Sequence, residues 1–291
     1  MSAIGFIGLG IMGEAMCANI IKKCGKDVYV YDIDPTKITK LESVGGKGVG
    51  SIEELAEKSS TIVIMVPNSS HVREVIAKVE KAVKPGTVVI DMSTISPKVS
   101  AALAVKLQDR GVTMLDAPVV KSKPAAIAGE LGIYVGGDKN TFEKVKPILQ
   151  YMGKNIIYMG KNGAGLVMKL CHNMLVGAIQ NGVNEMLVLA EKAGLKFEDA
   201  VTAISYGGGQ CFYLDAKNKT LANGDFTPAF PFEHMFKDMV HARDLARELG
   251  VSLQGLKTIN SVYKKGIKKG LNREDFSASI KVVREMASAR K

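Results

Sequence analysis

A parallel α/β domain followed by an all-helical domain is the fold the sequence predicts, and three features predict it. Short apolar runs alternate with amphipathic stretches through the first half of the chain. A glycine-rich turn joins the first run to the first helix. From Gly163 a long apolar stretch opens a second half in which no strand pattern recurs. Continuous apolar strands alternating with helices indicate a parallel sheet covered on both faces.

Taken in order, "IGFI" is a short apolar run bounded by glycine. Residues 15–23 carry helical spacing with Met16, Ile20 and Ile21 inward, and residues 28–31 read as a second strand. Further strands are expected in "TIVIMVP" (61–67), "TVVIDMS" (87–93), "VTMLDAPVV" (112–120) and "GIYVGG" (132–137). The segment beginning "GAGLVMKLCHNM" reads as one helix ending at Gly194. The domain boundary is therefore expected near Asn162, giving residues 1–162 and 163–291, with the long helix as one wall of a cleft.

Length and composition suit two domains with a sizeable core: 291 residues, 46% apolar and 23% charged. The four cysteines form no CxxC pair and no metal-ligand spacing with the histidines, which fits a reduced cytoplasm, and no metal is expected. No signal peptide and no run of about 18 apolar residues is evident, so neither export nor a membrane span is expected. The net charge of +10 is concentrated: residues 257–291 hold ten Lys/Arg against three Asp/Glu. Nucleic acid is one partner such charge could serve, but aromatic residues for base stacking are few, Tyr263 and Phe276 alone in this stretch. A solvated helical face is the preferred reading.

"GLGIMG" places Gly8, Gly10 and Gly13 in G-x-G-x-x-G spacing after a strand and at the start of a helix, with Asp32 nineteen residues beyond Gly13. That context is the dinucleotide-binding fingerprint of a Rossmann domain. Gly8 permits the turn, Gly10 lets backbone approach a pyrophosphate, and Gly13 allows close helix packing; Ile11 and Met12 lie within the loop. A carboxylate at Asp32 accepts ribose hydroxyls and repels a 2′-phosphate, so NAD is expected over NADP. Capping of the next turn is its alternative role.

The motifs "IGFIGLGIMG", "MVPNSS", "VIDMSTISP", "LDAPV", "GAGLVMKLCHNM", "FPFEHMFKDM" and "GLNREDFSA" together resemble the β-hydroxyacid dehydrogenase family over essentially the whole chain. The resemblance implies a Rossmann domain, an interdomain helix, a helical domain, and a homodimer or homotetramer formed through the latter. It implies that Lys169 is the catalytic lysine and that Asn173 holds substrate. It also puts Val66, Pro67 and Asn68 beside the nicotinamide ribose, and Lys237, of the pair Lys237–Asp238, in the cofactor cleft, with a solvated ion pair as the alternative. Four residues apart on a helix, Lys169 and Asn173 share a face. Partial burial and the positive nicotinamide should lower the lysine pKa, so that it exchanges a proton with an alcohol or aldehyde. Ser93 and Thr94 end a strand, where ligands of open α/β sheets bind; a turn hydroxyl is the equal alternative for Ser93.

Two departures from the family pattern bear on substrate. His172 replaces a frequent asparagine, and either touches substrate or packs. Where the family usually reads "DAPVSGG", this chain reads "DAPVVKSK". Lys121, Ser122 and Lys123 are thus candidate ligands for the substrate's anionic group, with a solvated turn as the alternative. The expected activity is NAD-linked interconversion of a short anionic 3-hydroxy acid and its aldehyde. Specialised alternatives are a sulfolactaldehyde or succinic semialdehyde reductase. An imine reductase is disfavoured by Lys169. A non-catalytic, nucleic-acid-associated protein is the remote alternative.

Overall fold

The computed structural model describes residues 3–288. The chain divides into two compact units, Met1–Lys169 and Leu170–Lys291. The division falls inside the long helix, beyond the Asn162 boundary expected from composition.

In the first unit a nine-stranded sheet carries the site. Its strands are β1 (Ile4–Ile7), β2 (Val28–Tyr31), β3 (Lys47–Gly48), β4 (Thr61–Ile64), β5 (Val88–Asp91), β6 (Thr113–Asp116), β7 (Val119–Val120), β8 (Leu131–Gly136) and β9 (Gly153–Gly160). The order is β3-β2-β1-β4-β5-β6-β8-β7, with β9 also on β8. Helices α1 (Gly13–Lys23), α2 (Pro35–Glu42), α3 (Ile52–Lys58), α4 (Ser69–Ala82), α5 (Pro97–Gln108), α6 (Lys123–Ala128) and α7 (Lys139–Gln150) connect them. Alternate strand residues face opposite ways, as a strand's period of two requires. Phe6, Val63, Ile90 and Leu115 enter one core. Ile7, Ile62, Ile64, Val89 and Met114 enter the other. Burial on both faces explains why these strands are continuous apolar runs.

The sheet is not wholly parallel, which corrects the expectation. β6 and β7 both pair with β8 antiparallel. The stretch expected as one strand over 112–120 breaks at Ala117–Pro118, because proline lacks the N–H a continuous ladder needs. Two strands escaped the sequence reading. β3 is two residues long, and β9 follows its buried Gly153 with exposed Lys154 and Asn155, so neither presents an alternating apolar pattern.

The helix α8 (Ala164–Lys192) leaves the first unit at Lys169 and continues into the second. Gly194, at φ +84°, follows its end. The second unit adds α9 (Phe197–Ile204), α10 (Phe212–Asn223), α11 (Phe232–Glu248), α12 (Gln254–Lys268) and α13 (Ser279–Ser288), with two 3₁₀ turns before α13. Its core gathers Leu170, Leu187, Phe232, Met239, Ile259 and Tyr263. The basic C-terminal stretch packs α12 through Leu256, Ile259, Val262 and Tyr263. Some of its cations pair: Lys281 with Glu274 at 2.5 Å, Arg284 with Glu191 at 3.1 Å, and Lys269 with Glu285. Arg290 and Lys291 lie outside the described residues. Among the described residues no helix is long and apolar enough to cross a membrane.

Candidate functional site

The glycine turn follows β1 directly. Gly8 has φ +95°, and a Cβ there would collide with the Met65 carbonyl oxygen on the neighbouring chain segment. A Cβ on Gly13 would collide with the Gly8 carbonyl oxygen. Gly10 has nothing within 4 Å of the same position, so open space lies over its backbone. The N-terminus of α1 receives no side-chain cap from Met12. Of its first N–H groups, that of Glu14 meets the Gly10 carbonyl at 3.1 Å, and the positive end of the helix dipole lies at this turn. Tight packing at two glycines, clearance at the third and an uncapped helix start fit a dinucleotide pyrophosphate. Ile11 is exposed and Met12 half-buried at the rim.

Asp32 folds back over this turn. Its Oδ2 accepts the Leu9 N–H at 2.6 Å and its Oδ1 accepts the Asp34 N–H at 2.9 Å. Lys37 Nζ stands 3.6 Å from Oδ1. The carboxylate therefore both shapes the turn and caps its own loop. Because a carboxylate has about four lone-pair sites, it can still accept ribose hydroxyls.

The Val66–Pro67–Asn68 segment follows β4. Val66 donates its N–H to Ser93 Oγ at 2.9 Å, and Ser93 donates its own N–H to Asp91 Oδ1 at 3.0 Å. Buried Ser93 thus ties the two strand-end loops together, a turn role for its hydroxyl. Thr94 is half-buried beside it. Asn68 Oδ1 caps α4, accepting the Ser70 N–H at 3.0 Å and the His71 N–H at 3.3 Å. Its amide oxygen is committed to the helix, so only backbone or the amide nitrogen can serve a ligand.

On α8, Lys169 is 8% and Asn173 5% exposed, low values for side chains this polar. Asn173 Nδ2 donates to Asp238 Oδ2 at 2.6 Å, and Asp238 on α11 is itself buried. Lys237 Nζ lies 3.4 Å from Asp238 Oδ1, with its side chain 22% exposed. His172 is half-buried. His234 and His241 flank Asp238 on α11. Burial, then Lys237, lowers both imidazoles below their ordinary pKa, the Asp238 charge opposing. The buried carboxylate is thus flanked on its helix by His234 and His241 and met by Lys237 and the Asn173 amide.

The lysine turn lies between β7 and α6. Lys121 has φ +79° and, among the described residues, stands alone as a non-glycine with positive φ. Lys121 and Lys123 are exposed; Ser122 is half-buried and makes no side-chain cap bond to α6. Asn19 Nδ2 on α1 donates to the Ala126 and Ile127 carbonyls at 2.8 and 3.2 Å. Lys23, a turn further along α1, lies against Gly129 at the end of α6. These contacts run α6 alongside α1 in the same direction, so the lysine turn lies at the same end of the strands as the glycine turn.

Two residues were visible in the sequence without an assigned role. Asp238 appears there only as half of a Lys-Asp pair. Asp116 appears only as part of "LDAPV", yet it is fully buried and bonded to the start of α8. Their partners lie 65 and 47–50 residues away, beyond any spacing rule. The one local signal is an acid placed among apolar neighbours.

Comparison with known proteins matches residues 3–160 to the NAD binding domain of 6-phosphogluconate dehydrogenase. Residues 163–283 match the NAD-binding domain of NADP-dependent 3-hydroxyisobutyrate dehydrogenase. The chain is 35% identical to 2-(hydroxymethyl)glutarate dehydrogenase of Eubacterium barkeri, covering 97% of this chain and 95% of that protein. It is 32% identical to the chloroplastic glyoxylate/succinic semialdehyde reductase 2 of Arabidopsis thaliana, covering 98% and 80%. Among solved structures, Mycobacterium tuberculosis 3-hydroxyisobutyrate dehydrogenase with L-serine superposes with a TM-score of 0.90 at 32% identity, covering 98% and 99%.

Proposed function

The chain belongs to the β-hydroxyacid dehydrogenase family, and from that premise we propose that it interconverts a short anionic 3-hydroxy acid and its aldehyde. The single observation that carries this reading is the pair Lys169 and Asn173. Both are nearly buried, one turn apart near the start of a largely apolar helix, and Asn173 is tied to a buried carboxylate. When bound, the cofactor would supply a hydride acceptor for the alcohol carbon in its oxidised form and a hydride donor for the aldehyde in its reduced form. The glycine turn and the start of α1 would hold its pyrophosphate, and Asp32 the adenosine ribose.

Lys169 manages the proton at the substrate oxygen. As a neutral amine it takes the hydroxyl proton during oxidation; as an ammonium it gives that proton back during reduction. In the latter form it also stabilises charge developing on the oxygen. Asp238 orients the Asn173 amide, leaving the other N–H and the carbonyl oxygen for substrate. Lys169→Ala should lower turnover roughly 10²–10⁴-fold with NADH binding nearly intact. Lys169→Arg should fail as well, because guanidinium does not give up its proton in this range. Turnover near wild type in either variant removes Lys169 from the mechanism.

A refinement concerns the substrate's head group. Lysine held in a left-handed conformation costs about 1 kcal/mol or more. A charge kept at that expense suits a sulfonate, or a substrate with a second anionic group such as the dicarboxylate named for the Eubacterium barkeri relative. Lys121 and Ser122 are assigned to that anion, with Lys123 supplementary. Lys121→Met should cost roughly 1.5–3 kcal/mol in kcat/KM toward the anionic aldehyde and leave a neutral aldehyde of equal length unchanged. Equal loss for both substrates, or none, returns the turn to the solvent.

A further inference from the structure

We propose that Asp116 is a positioning residue for the reaction: its carboxylate seats the first turn of α8 and so sets where Lys169 stands. The proposal rests on the reading of Lys169 as the acid/base. Asp116 ends β6 and is 0% exposed. Its Oδ1 accepts the Gly163 N–H at 2.6 Å and its Oδ2 accepts the Leu166 N–H at 2.9 Å.

The first N–H groups of a helix have no acceptor inside the helix. Usually the residue just before the helix supplies one from its side chain. Gly163 occupies that place here and has no side chain. The acceptor is instead delivered by the sheet, from 47 and 50 residues earlier in the chain. Both carboxylate oxygens are used, so the contact sets direction as well as distance. The negative charge also meets the positive end of the α8 dipole.

The surroundings leave the carboxylate little freedom. A Cβ at Gly136 would lie 2.6 Å from Oδ1, and one at Gly165 would lie 2.9 Å from Oδ2. Asp91, the register partner of Asp116 on β5, is also buried but bonds the Ser93 N–H instead. The two adjacent strand ends thus hold different things: Asp91 the loop at Val66 through Ser93, and Asp116 the helix. Burial raises the Asp116 carboxyl above the usual carboxylate range, against the opposing pull of the backbone N–H groups.

Lys169 follows Leu166 by three residues, so it sits on the next turn of a continuous helix. A helix of about 1.5 Å rise per residue carries a displacement of its first turn directly to that position. Proton transfer is sensitive to errors of this size: misplacement by about 1 Å can cost 10²-fold in rate.

The test is a double-mutant cycle between Asp116 and Lys169, with Asp116→Ser as a second variant. Asp116→Asn keeps the size but turns an amide N–H₂ toward one of the two backbone donors. It should lower kcat roughly 10- to 100-fold while the KM for NADH stays within about threefold. The pH profile of kcat should move as well, which a purely structural defect would not produce. In the Lys169→Ala background the same change should cost nothing further, because no acid/base is left to misplace. Unchanged kcat in a folded Asp116→Asn protein overturns the proposal. So does an additive loss in the double mutant, or failure of both Asp116 variants to fold, which would make the residue one of stability alone. If Lys169→Ala itself retains turnover, the acid/base reading fails first and the proposal falls with it.

Discussion

Gly8 and Lys121 both hold left-handed backbone where a strand gives way to a helix, with φ +95° and +79°. They do so under opposite constraints. At Gly8 a Cβ would collide with the Met65 carbonyl, so the chain has no choice of residue. At Lys121 the side chain is exposed and a glycine would relieve the backbone. The first turn gives up a side chain so that backbone can pack and meet an anion. The second retains a strained, charged side chain. A residue forced by its neighbours speaks of packing; one kept against its own conformational preference speaks of what it reaches.

The contrast can be broken most forcefully at Gly13, whose Cβ would meet the Gly8 carbonyl. Gly13→Ala should cost about 2–3 kcal/mol in urea unfolding, an overpacking penalty at buried backbone. A cost within 0.5 kcal/mol would mean the glycine turn is not packed as described. Next in size is cofactor choice. Efficiency with NADH should exceed that with NADPH at least ~10-fold, or ~1.4 kcal/mol. Asp32→Ala with Ile33→Arg should narrow the gap; equal efficiencies in the parent enzyme would refute the role given to Asp32. Lys37, 3.6 Å from Asp32, is a nearby cation positioned to soften the preference.

Lys121→Gly should act the other way on stability. Release of left-handed strain, less the entropy of glycine in the unfolded chain, leaves a gain of about 0.5–1 kcal/mol. A calorimetric Tm at or below that of the parent would show that Lys121 is held there by contacts rather than against strain. The smallest effect compares titrating groups, two half-buried histidines and one buried acid, instead of turns. His234 and His241 have folded pKa values below the ordinary 6.5, so below that pH the unfolded chain binds more protons and stability falls with acidification. Asp116, raised above the ordinary 3.8, has the opposite sign: stability falls as pH rises from 3.8 through its folded value. Replacing both histidines by glutamine should flatten the fall in Tm below pH 6.5; an unaltered slope would place its origin elsewhere.

Local pattern decided a large part of this molecule. β1, β2, α1 and α8 lie close to where apolar period and glycine punctuation put them, because each element satisfies its own backbone and announces its buried face. The glycine turn was legible for the same reason: its three positions answer to neighbours only a few residues away, or to the next strand. Lys169 and Asn173 stood out as polar residues in the largely apolar first half of α8. The tertiary structure alone decided the rest. β9 took its place by pairing on β8, although its own residues alternate poorly. Ser93 became a tie between loops, and Asn68 a helix cap, because of which N–H groups the fold brought to them. Asp116 and Asp238 gained their roles from donors 47 to 65 residues distant. A sequence shows that a buried acid needs partners; only the folded chain determines which groups meet it, since that depends on strand order and helix placement rather than on spacing.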